Sequence, residues 1–160
     1  MKFPLIAFAG ALLVTGVPAT SQDIVVSAEN AAVETISRDL DRNLLRADWP
    51  RRELVGEGIA MVRFQRGADG RPADVKLYRK SGQRSVDRRA LVAVARLGRS
   101  NPLPAIGAPD QIFQANIVLA NSHQAFADLS SQLAKLEQAR LADPRERTVF
   151  AFNSAPRTAS

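Results

Sequence analysis

The sequence predicts an α+β domain: a small antiparallel β-sheet of three strands, with a candidate fourth near the C-terminus, helices packed on one face, and an additional C-terminal helix. Three observations carry this. Asp69-Gly70 separates two runs that alternate apolar and polar residues, a strong hairpin signal because glycine reaches the positive φ of tight turns. After Ser81-Gly82 the apolar period changes from two to about 3.6 residues. A third alternating run, Ile112 to Leu119, follows a proline-rich break.

Taken in order, Lys2 and the apolar run Phe3 to Val17 precede Val17-Pro18-Ala19, which has the small-x-small pattern of a secretory cleavage site. Residues 1–19 therefore read as a signal peptide. The run is shorter than the roughly 20 apolar residues of a membrane span, so cleavage is preferred over an uncleaved inner-membrane anchor. From Ala28 to Arg46 the residues Val33, Ile36, Leu40 and Leu44 lie along one helical face, with Glu34, Arg38, Asp41 and Arg42 largely elsewhere. Asp48-Trp49-Pro50 ends that helix, and Trp49, the single tryptophan, reads as a plug at the core edge.

Gly58 to Gln65 and Ala73 to Tyr78 are the two hairpin strands. The two-residue period puts Ala60, Val62 and Phe64 on one face of the first strand, and Ala73, Val75 and Leu77 on one face of the second. A helix follows with Val86, Ala90, Leu91, Val94 and Leu97 inward and Ser85 as its expected cap. Ser81-Gly82 reads as a structural link, glycine tolerating unusual φ where a strand passes into a helix. Asn101-Pro102-Leu103-Pro104 stops the helix. The third strand turns Phe113, Ala115, Ile117 and Leu119 inward, which leaves a wet opposite face carrying Arg63, Gln65, Lys76, Gln114 and Asn116, interrupted by Ile59 and Met61. Phe126, Leu129, Leu133 and Leu136 then mark an amphipathic helix within 121–144, ended by Asp143-Pro144. The last stretch, 145–160, reads as a partly disordered tail in which Arg147 to Asn153 alternates weakly enough for one edge strand.

Composition excludes several functions. There is no cysteine, hence no disulfide, thiolate metal site or thiol nucleophile. His123 is the only histidine, so a multi-histidine metal centre is impossible. Gly56-Glu57-Gly58 precedes a strand, whereas a dinucleotide-binding glycine fingerprint follows one. Asp69, Asp74 and Asp87 fit turns and caps better than a catalytic pair. The chain reads as a non-enzyme with no cofactor, a periplasmic enzyme with an unrecognised site being the alternative. The formal charge of +6 becomes +5 once Lys2 leaves with the signal. An exported chain has no use for a nucleic-acid surface, so the arginines around the hairpin read as a solvated face, the alternative being a surface for phosphates of lipid or lipopolysaccharide.

The ordered set Gly58-x-x-x-Val62-x-Phe64, Asp69-Gly70-Arg71, Asp74-Val75, Ser81-Gly82, Val86-Asp87-x-x-Ala90-Leu91 and Pro102-Leu103-Pro104 resembles the C-terminal domain of the TonB family, of which the TolA C-terminal domain is the structural cousin. Trp49-Pro50 stands where such domains often carry Tyr-Pro, and the likeness covers roughly 48–120 within a domain taken as 28–120. The resemblance implies a Gram-negative periplasmic module that takes an extended peptide of an envelope protein, such as an outer-membrane receptor, onto an open sheet edge. By resemblance that edge is the third strand, with Ile112, Gln114, Asn116 and Val118 as its binding positions. The resemblance also implies a part in TonB-dependent transport across the outer membrane, with membrane contact only through an uncleaved N-terminal segment. A soluble TolA-like adaptor without energy transduction is the alternative, because 22–49 lacks a proline-rich spacer. An open edge also permits strand exchange between two copies, and so a homodimer.

Overall fold

A computed structural model describes residues 21–46 and 56–154. The elements run α1 (Ser21–Leu45), β1 (Gly58–Arg66), β2 (Pro72–Arg79), α2 (Arg84–Ala95), β3 (Ile112–Leu119), α3 (His123–Ala142) and β4 (Phe150–Asn153). The signal segment 1–19 and Trp49-Pro50 lie outside the described residues. The α+β class holds, with a four-stranded sheet in the order β2-β1-β3-β4. The sheet is mixed, because β4 pairs parallel to β3 while the other pairs are antiparallel.

The predicted strand faces reproduce the core. Ala60, Val62 and Phe64 of β1 join Phe113, Ala115 and Ile117 of β3, with Val75 and Leu77 of β2 packed against them. Ile36, Leu40 and Leu44 of α1 and Val86, Ala90, Ala93 and Val94 of α2 cover that face. Leu40 and Val62 are fully buried, and removal of each such side chain from water contributes roughly 1.5–3 kcal/mol. Polar links fix the helix pair: the Asn43 side-chain amide donates to the Ala93 carbonyl at 3.2 Å, and the Gly98 amide to the Asp39 carboxylate at 3.3 Å.

The opposite face is not wet as expected. Phe126, Leu129, Leu133 and Leu136 of α3 lie over Ile59, Met61 and Val118, forming a second, smaller core. The two apolar interruptions on that face are thus the seat of α3. Gln114 and Asn116 are fully buried instead of solvated, because α3 and the chain after it close over them.

Two local expectations change. Helix α1 begins at Ser21 instead of Ala28. Gln83, not Ser85, is the N-cap residue of α2. The Ser85 hydroxyl instead accepts the Gly56 amide at 3.3 Å. The first-turn Asp87 carboxylate accepts the Ser81 amide at 2.7 Å, and the Ser81 hydroxyl accepts the Gln83 amide at 3.0 Å, so Ser81-Gly82 closes locally with Gly82 at φ +88°. The candidate edge strand within Arg147 to Asn153 is present as β4, reached through a turn after α3. At the hairpin, Gly70 has φ +73°, and a Cβ there would stand 2.7 Å from that of Pro102. Only glycine satisfies both the turn and the contact with the segment that ends in Leu103.

Candidate binding surface

Strand addition needs a margin whose amides and carbonyls are unpaired. The β3 margin does not meet this condition: β3 lies between β1 and β4. Phe113, Gln114, Ala115 and Asn116 stand opposite Phe150, Ala151, Phe152 and Asn153. The Ser154 amide then donates to the Asn116 carbonyl at 2.9 Å, and the Val118 amide to the Ser154 hydroxyl at 3.4 Å. The Gln111 side chain holds the entry to β4 by donating to the Thr148 carbonyl at 2.6 Å. The assignment of Ile112, Gln114, Asn116 and Val118 to an open edge is therefore corrected. Ile112, 39% exposed, is the one of the four that remains accessible.

The alternation within β4 explains why it stays seated. Phe150 and Phe152 face the main core, where the Phe152 ring meets Phe64 edge-on at 6.2 Å and the Phe150 ring meets Phe113 at 5.5 Å. Asn153 faces the other way and accepts from the Asn116 side-chain amide at 3.1 Å.

That second face carries a charged network. The Gln114 carbonyl oxygen accepts from Arg63 Nε at 2.9 Å, and its amide nitrogen donates to Asn116 Oδ1 at 2.9 Å and Glu137 Oε1 at 3.0 Å. Arg63 is ion-paired with Glu146, and its guanidinium lies 3.4 Å from the centroid of the Tyr78 ring. Arg140 donates to Glu137 at 2.9 Å and to the Glu146 carbonyl at 2.6 Å. Two arginines thus meet two glutamates in a site largely closed by α3. Paired and hydrogen-bonded on both sides, these charges fix the position of α3 over the sheet. A cleft of about 520 Å³ opens beside them, lined by Met61, Tyr78, Arg79, Leu136, Glu137 and Arg140 among others. None of these contacts was legible in the sequence, since Arg63 and Glu146 are 83 residues apart.

The opposite margin is blunted. Register passes from Met61↔Arg79 to Val62↔Leu77, and from Arg63↔Lys76 to Gln65↔Ala73. Each jump leaves one extra residue on β2, and within the second Asp74 takes φ +52°. Pro72 brings no amide to the start of the strand. Bulges, proline and exposed charge on an outer strand are the devices that resist edge-to-edge pairing.

The other sequence candidates are structural. The Asp69 carboxylate accepts the Arg71 amide at 3.0 Å and the Gly70 amide donates to the Gly67 carbonyl at 3.0 Å, closing the hairpin loop. His123 is the exposed first residue of α3, beside Ser122, whose hydroxyl accepts the Ala125 amide at 3.1 Å as its cap. Among the described residues no group of three or more His, Cys, Asp or Glu is placed to hold a metal ion, and no helix is long and apolar enough to cross a membrane. No protein family, curated protein or solved structure matches this chain. The likeness to TonB rests on the residues named above.

Proposed function

We propose that this chain is an exported protein-binding module of the cell envelope, used as TonB C-terminal domains are, which takes an extended segment of a partner protein onto the β3 margin in place of β4. One observation supports the reading: that margin accepts a four-residue ribbon of Phe150-Ala151-Phe152-Asn153 in parallel register. Backbone pairing supplies sequence-tolerant affinity, and alternate side chains supply selection. A competing segment has to bring two apolar side chains two residues apart, to fill the places of Phe150 and Phe152, with a polar residue after them for Asn116.

An envelope adaptor fits better than an energy transducer. Helix α1 occupies the stretch where a transducer needs a free, stiff spacer, and Ile36, Leu40 and Leu44 pack it onto the sheet. The partner is then an envelope protein, such as an outer-membrane receptor segment, met in the periplasm. No cofactor enters this function.

A labelled peptide spanning residues 148–154 tests the proposal. The full chain carrying Phe152→Ala, in which β4 is loosened, is expected to bind it saturably and at least tenfold tighter than the unaltered chain. The same peptide with Ala151→Pro is expected not to bind. Equal binding of both peptides, or binding of neither, would refute the assignment of the β3 margin. Fractionation that leaves the protein in the cytoplasm would remove the envelope role while leaving the docking geometry standing.

A further inference from the structure

Residues 72–89 hold six basic side chains, Lys76, Arg79, Lys80, Arg84, Arg88 and Arg89, against two acidic ones, Asp74 and Asp87, a net of +4 out of the +6 of the whole chain. Most of the basic excess therefore sits on the blunted β2 margin and the helix that follows it. Asp87 is turned inward to the Ser81 amide. Lys76, Arg79, Lys80, Arg84 and Arg88 are all exposed, and none of the five side chains holds a hydrogen bond or ion pair among the described residues. Elsewhere Arg38, Arg42, Arg63, Arg71 and Arg140 each pair with a carboxylate. Arg84 and Arg88, four apart on α2, share one helical face. Tyr78, 52% exposed, lies between Lys76 and Arg79 along β2, with its ring against the Arg63 guanidinium.

We infer that this margin, formed by β2, the link 80–83 and the outer face of α2, is a docking surface for an anionic lipid bilayer. An acidic strand is disfavoured as occupant, because the two bulges and Pro72 deny it a continuous backbone ladder. Separate unpaired cations spread over one strand and one helix suit a fluid array of phosphates, whose headgroups move to meet each charge. An exposed tyrosine, apolar in body and polar at its tip, is the aromatic that settles at headgroup level. The surface lies on the margin opposite β4, so a peptide at β3 and a bilayer at β2 do not compete.

The test is co-sedimentation of the full chain with vesicles of phosphatidylcholine containing about one third phosphatidylglycerol, against pure phosphatidylcholine. The apolar run Phe3 to Val17 would enter both, so the readout is the ratio of the two partition coefficients. The ratio is expected well above one at 50 mM salt and to collapse by 300 mM. Each basic residue near an anionic leaflet contributes about fivefold, so Arg84→Gln with Arg88→Gln lowers the ratio roughly 30-fold, as does Lys76→Gln with Arg79→Gln. Lys135→Gln, which removes an exposed cation on α3, leaves it unchanged. A ratio near one, equal losses in all three variants, or retention on polyglutamate without retention on the anionic vesicles would overturn the inference. None of these outcomes bears on binding of the 148–154 peptide.

Discussion

Replacing Phe152 by alanine tests the feature on which the β3 margin depends. The ring is 2% exposed and meets Phe64 edge-on at 6.2 Å, so truncation removes a fully buried aromatic together with one ring contact. Phenylalanine-to-alanine changes at such sites cost about 3–5 kcal/mol when the surroundings do not collapse into the space. With a urea m-value of about 2 kcal/mol/M for a domain of this size, the midpoint falls by roughly 2 M. Phe150 is half-buried and its truncation should cost about 1–2 kcal/mol, so the two variants are expected to differ by about 2 kcal/mol. Should β4 lift away in the Phe152→Ala chain, the loss is limited to the free energy of that local opening. Hydrogen exchange separates the cases, since only β3 amides facing β4 would lose protection while those facing β1 keep theirs. A midpoint shift below about 0.5 M with unchanged β3 protection would refute the packing of β4 and leave β3 as a free edge.

Arg63→Met strands Gln114 and the partly buried Glu146, and is expected to cost about 3 kcal/mol in urea unfolding. Adding Glu146→Gln should recover at least 1 kcal/mol of that, and additivity within about 0.5 kcal/mol would show the pair to be uncoupled. Leu133→Ala, under α3, is expected to cost about 2–3 kcal/mol, with amide exchange accelerated mainly in α3; equal acceleration in α2 would argue against a separate second core. Gly70→Ala faces both φ +73° and the Pro102 Cβ at 2.7 Å, and a thermal midpoint unchanged within 1 °C would exclude that strain, expected at about 2 kcal/mol.

Local chemistry decided much of this protein from its sequence. The alternation of Ala60, Val62 and Phe64, and of Phe113, Ala115 and Ile117, fixed which side chains enter the core, because a strand's period admits no other grouping. Gly70 marked the hairpin turn, and the 3-4-3 spacing from Phe126 to Leu136 marked α3 as a helix with one apolar side. Spacing within an element says nothing about which element lies beside it. That α3 would seal Gln114 and Asn116 beneath it, that Arg63 would meet Glu146, and that Phe150-Ala151-Phe152-Asn153 would fill the margin expected to be free were settled only by tertiary structure. The reason is physical: these contacts join parts of the chain tens of residues apart, and their geometry exists only after both cores have packed on the two faces of one sheet.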